Sequence, residues 1–177
     1  MAQRIKAVVQ FARRLIQIGL IVFWLCGSGI AIADESTLEL IKPMSYSNAE
    51  LQGKDFSRQD LRASDFANAN MDSANFSHAD LRGTIFSASI LQHANLEGVN
   101  FQHAMLDQVD FTQANLENAI LSEAILLRST FKDTKIAGAD FTDAILDGGQ
   151  QKELCQIATG TNPQTGVETK FSLDCQS

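Results

Sequence analysis

A large apolar residue stands at every fifth position from Leu51 to Leu146, 20 in all, without a slip of register. Two residues before each of them stands Ala, Ser, Thr or Val in 18 of the 20 blocks, the exceptions being Lys54 and Gln59. The other three positions are mostly Asp, Asn, Ser, Gln, Arg, His or Gly. A period of five fits neither a helix nor a strand. A fixed short repeat marks a solenoid, in which each unit buries its apolar side chains by stacking on its neighbours. One block makes an extended side ending in a bend, with the bulky and the small residue pointing inward. If four sides close a coil, position n lies over n+20, and backbone hydrogen bonds join coils at roughly 4.8 Å spacing. Lys54 and Gln59 then fall together in the first coil, whose outer end faces solvent.

The blocks "ANFSH", "ADLRG", "ANLEG", "ANLEN" and "ADFTD" closely resemble the motif of the pentapeptide repeat family, Ala-(Asp/Asn)-(Leu/Phe)-x-x. The resemblance covers residues 49–148. It implies an all-β architecture, a right-handed quadrilateral β-helix of about five coils, which is roughly 24 Å long at the inter-coil spacing. Residues 34–48, with "TLELI" at 37–41, are expected to cap its first coil. The Asp and Asn that recur at the second position of each block read as corner residues whose side chains hydrogen-bond to nearby backbone.

The two ends have other compositions. Residues 1–33 carry Arg4, Lys6, Arg13 and Arg14, then the apolar run "LIQIGLIVFWL" and Ala31-Ile32-Ala33. That is the pattern of an export signal cleaved after Ala33. Left uncleaved, it would be the chain's one attachment to a membrane. At the other end, residues 149–177 hold Cys155 and Cys175, the only cysteines outside the signal. In an exported chain they are expected to pair, closing a loop of about 20 residues and contributing about 3 kcal/mol. The alternatives are two free thiols, or a metal site that would have to complete its shell without any histidine after His103. We read this tail as a disulfide-stapled cap over the last coil, protecting its edge from pairing. "LCQIATGTNPQTGVETKFSLDC" is also similar to the tail of thylakoid lumenal pentapeptide repeat proteins of cyanobacteria and plastids. That similarity implies an exported protein of the thylakoid lumen or periplasm.

Charge and chemistry narrow the function. The formal net charge is -7, and removing the four basic residues of the signal leaves a body near -11. Such a balance disfavours contact with nucleic acid phosphates. His78, His93 and His103 close their blocks on three different sides, and no Gly-rich phosphate loop or nucleophile elbow occurs. A coil packed with Phe and Leu leaves no internal pocket. The expectation is a non-enzymatic scaffold without cofactor or metal, binding an unidentified protein partner or a second copy of itself. The family resemblance also implies an alternative, since some pentapeptide repeat proteins imitate duplex DNA and inhibit topoisomerases through a continuous acidic surface. Here acids to bases on the four sides run 4 to 1, 3 to 2, 5 to 2 and 3 to 1, so no side is densely acidic.

One side breaks the pattern. On the side of Phe66, Phe86, Leu106, Leu126 and Leu146, the second position reads Asp65, Ile85, Met105, Ile125, Ile145. With Leu127 beside them, Ile85, Met105, Ile125 and Ile145 are expected to stack into an exposed apolar ridge. Either the ridge docks a partner or a second copy, or it is covered by Phe171 and Leu173 of the tail or by residues 37–41.

Overall fold

The computed structural model describes residues 43–175, all within the unit Ile41–Ser177. The export segment 1–33 and residues 37–41 of the N-terminal cap lie outside the described residues. Among the described residues no helix is long and apolar enough to cross a membrane.

Block 99–103 shows why the period is five. Its five amides each have an acceptor. Val99 N–H closes the preceding bend on Leu96 O (3.3 Å), and Asn100 N–H reaches back one coil to Ala79 O (3.1 Å). Phe101 and His103 N–H reach forward to Ile120 O (2.7 Å) and Ser122 O (3.2 Å). The fifth amide, Gln102 N–H, donates to Asn100 Oδ1 at 3.0 Å. The side chain at the second position thus satisfies the one amide the ladder leaves over. The same bond runs from Ser77 N–H to Asn75, from Ala67 N–H to Asp65 and from Thr142 N–H to Asp140. The corner itself is made at the fifth position. Every fifth residue from Asn48 to Asp143 has φ between +55° and +71°, in the left-handed region.

Parallel bridges join n to n+20 on all four sides, from Ser45–Asp65 to Ile125–Ile145. They are isolated bridges rather than the continuous strands that an all-β expectation suggests, because each straight run between two bends is too short to pair along its length. The ladder also begins one block before residue 49. Ser45 already bridges to Asp65, and the Tyr46 ring stacks on Phe66 at 4.7 Å. Phe66 stacks on Phe86 at 4.7 Å and Phe56 on Phe76 at 4.8 Å, so the rings keep the same spacing as the backbone. Phe66, Phe76, Phe86, Phe101 and Phe111 are fully buried, and Ala, Ser, Thr and Val fill the small inward positions. Lys54 and Gln59 point to solvent in the first coil, where Tyr46 and Leu51 are half-buried.

The tail closes the other end and departs from an all-β description. It holds two helices, α1 (Gly148–Ile157) and α2 (Thr169–Ser172), and one antiparallel bridge, Thr161–Glu168. Asp147 caps α1, accepting from Gly149 and Gln150 N–H, while Gln150 Oε1 accepts from Asp147 N–H. Three tail side chains bond to backbone groups of the last two coils. Gln150 Nε2 donates to Leu126 O (2.8 Å) and Ser129 O (2.7 Å). Asn162 Nδ2 donates to Asn118 O (3.1 Å) and Ala119 O (3.2 Å), and Ser172 Oγ accepts from Phe141 N–H (3.0 Å). Leu154, Ala158 and Leu173 extend the core into the cap. Cys155 and Cys175 are joined in a disulfide, with Cα atoms 5.6 Å apart, tying α1 to the end of the tail.

Candidate interaction surface

The ridge residues are brought together as one column. Ile85 bridges to Met105, Met105 to Ile125 and Ile125 to Ile145. Met105 is 43% exposed, Ile145 49% and Leu127 36%, while Ile85 at the head of the column and Ile125 within it are half-buried. None of the four second-position residues carries a carboxylate or amide oxygen, and the side-chain bond seen in block 99–103 is absent along the column. The ridge therefore lacks a local hydrogen bond at four positions and exposes apolar surface chiefly at Met105 and Ile145.

The tail does fold back over a side of the coil, but over a different one. Asn162 sits against Asn118 and Ala119, and the backbone at Gly160 and Thr161 passes against Gly138. Ile120 and Asp140 on that side are consequently only 7% and 3% exposed. Of the two tail residues considered as covers for the ridge, Leu173 is buried in the cap and Phe171 is 81% exposed. A cleft of about 360 Å³ opens beside the last rung of the ridge, lined by Ala144, Leu146, Gln151 and Phe171 among others. The spacing of apolar residues along the repeat carried no signal for this cleft, since the path of the tail creates it.

The charged groups fall around the ridge, not on it. Asp107 lies one step from Met105, accepts from Ser87 Oγ and has the Arg128 guanidinium 4.0 Å away. The Ser87 hydroxyl, above all, holds the Asp107 carboxyl below its ordinary value, against a partial burial that pushes it up. On the adjoining corner stand His103 and Glu123, with Nδ1 and Oε2 3.3 Å apart, and then Asp143. The three histidines remain on separate sides. His93 Nδ1 contacts Asp72 Oδ1 at 2.8 Å, and the His78 ring covers Gly98. Among the described residues no group of three or more His, Cys, Asp or Glu is placed to hold a metal ion. A charged cluster of Asp60, Arg62, Asp80 and Arg82 pairs within itself. Arg62 bonds Asp60 and Arg82 bonds Asp80, each at 2.6 Å, and these bonds hold both carboxyls below their ordinary value.

A four-sided repeat coil with a stapled cap defines a solenoid class, here with one partly exposed apolar column among the described residues. The family described as pentapeptide repeats (8 copies) matches residues 47–77, 74–113 and 110–148. The chain belongs to the pentapeptide repeat family. It is 37% identical to a pentapeptide repeat protein of the Arabidopsis thaliana thylakoid lumen whose crystal structure superposes with a TM-score of 0.73, covering 75% of this chain and 92% of that one. It is also 61% identical over 41 residues to the Arabidopsis thylakoid lumenal protein TL20.3, and 45% identical over 47 residues to the Arabidopsis thylakoid lumenal 15 kDa protein 1. These stretches are 23% and 27% of this chain and span 15% and 21% of the two relatives. HetL, a pentapeptide repeat protein from the cyanobacterium Nostoc, shares the fold with a TM-score of 0.57 at 24% identity, over 59% of this chain and 50% of HetL.

Proposed function

We propose that this protein is a non-enzymatic scaffold, a right-handed rod of about five coils at the inter-coil spacing of a sheet, that binds a protein partner through its ridge in the thylakoid lumen or periplasm. The observation that carries this reading is the apolar column of Ile85, Met105, Ile125 and Ile145, flanked by Leu127 and exposed at Met105, Leu127 and Ile145, on a rod whose tail covers another side. The lumenal relatives and the export signal support the compartment, and an oxidising compartment suits the Cys155–Cys175 bond. Affinity capture of the tagged protein from its own exported fraction, beside an Ile125→Lys variant, tests it. The expected result is a partner retained by the parent and lost from the variant at equal thermal stability. A variant that melts early and keeps every partner makes the ridge a packing feature and refutes the reading.

A further inference from the structure

The ridge's neighbours carry information about what would lie on it. Around the column stand Asp107, Glu123, Asp143 and Asp147, opposed by Arg128 and the His103 imidazole. Two copies meeting through this face would bring like-charged rims together, and the chain's own residues 34–42, with Asp34, Glu35 and Glu39 against Lys42, are acidic as well. Complementarity favours a cationic occupant. Spacing selects its backbone. Rungs lie roughly 4.8 Å apart, whereas same-face residues of a strand lie about 6.8 Å apart. Positions i, i+3 and i+4 of a helix rise about 4.5 to 6 Å, which brackets the rung spacing. A helix running along the column therefore sets one apolar side chain between each pair of rungs. The three steps from Ile85 to Ile145 occupy roughly 14 Å, about ten helical residues, and the cleft beside Phe171 lies at the end of that path.

We propose that the ridge binds an amphipathic helix of a partner protein whose apolar stripe is flanked by Lys or Arg. This rests on the reading of the ridge as the docking surface. The test uses the protein expressed from its full-length sequence and recovered from the exported fraction, titrated with two synthetic peptides of about 14 residues. Both carry leucines at i, i+3, i+4 and i+7; one is flanked by lysines and the other by glutamates. The lysine peptide should bind at least about tenfold more tightly, with an affinity that falls as salt rises. Ile125→Asn should abolish binding without loss of fold, because Asn at this position is what blocks such as 99–103 already use. Glu123→Gln with Asp143→Asn should weaken the lysine peptide several-fold and flatten its salt dependence. Equal binding of the two peptides, both lost in Ile125→Asn, would overturn the charge assignment and leave the docking surface standing. Binding of neither peptide, or binding indifferent to Ile125→Asn, would overturn both. A dimer in sedimentation that Ile125→Asn dissociates would show that the occupant is a second copy and overturn the helix.

Discussion

At the scale of single residues the fold rests on a division of labour within each block. The third position buries, the second ties off an amide and the fifth turns the corner with positive φ. For a residue with a Cβ that last role costs about 1 kcal/mol or more. Gly98 (φ +61°) has a second reason to be glycine, since a Cβ there would lie 2.5 Å from His78 Nδ1. Gly98→Ala should destabilise the protein by about 1–2 kcal/mol, while Ala88→Gly, at φ +58° and exposed, should raise stability by up to about 1 kcal/mol; chemical denaturation of the pair measures both. Carboxylates of Asp60, Asp80 and Asp107 titrate below their ordinary value, held chiefly by Arg62, Arg82 and the Ser87 hydroxyl. Groups whose folded value is depressed stabilise the protein above the unfolded value, about 3.9 for Asp, and lose that contribution as pH falls through the folded value. Melting temperature should therefore decline below about pH 4, and more weakly at high salt because these pairs are half-exposed.

At the scale of the coil, stability comes from registry. Phe101 is fully buried with its ring edge-on to Phe86 at 5.4 Å, while the neighbouring Gln102 side chain faces out and only its backbone serves the ladder. Phe101→Asp should prevent folding, since loss of the ring alone costs about 3–5 kcal/mol and an unpaired charge would replace it. Gln102→Asp should leave the melting temperature nearly unchanged. Equal melting of the two would mean the inward position is misassigned. The cap closes the last coil by other means: Gln150 Nε2 donates to Ser129 O and Ser172 Oγ accepts from Phe141 N–H, while Asn162 ties the tail to carbonyls of the coil before.

At the scale of the whole molecule, the disulfide and the acidic surface each carry a measurable consequence. Reduction of Cys155–Cys175 frees a loop of about 20 residues and should cost about 3 kcal/mol. Intact mass of the exported protein should lack residues 1–33 and two protons, and reduction should lower its melting temperature. Full-length, thiol-reactive protein in a membrane fraction would contradict both. In a gyrase supercoiling assay the protein should be inert at stoichiometric levels, because the Asp60–Arg62–Asp80–Arg82 cluster neutralises itself and acids elsewhere are spread over four sides.

The period of five and the inward residues were legible in the sequence; the stacking of n on n+20, and with it the membership of the ridge, followed once the family resemblance supplied four-sided closure. A repeat makes tertiary neighbours computable by counting, and burial then follows from residue type. The left-handed corners were misplaced: the recurring Asp and Asn drew the corner to the second position, whereas positive φ falls at the fifth, which polarity marked only as outward. The start of the ladder at Ser45 was hidden because Tyr46 is a lone ring ahead of the Leu/Phe series. Only the tertiary structure decided which side the tail covers, where Phe171 points and how the acidic rim surrounds the ridge. The tail has no repeat from which to count, so its path depends on hydrogen bonds from Asn162 and Gln150 to carbonyls some 21 to 44 residues away in the chain. The rim joins residues from two sides of the coil, and they become neighbours only once the corner between those sides has been turned.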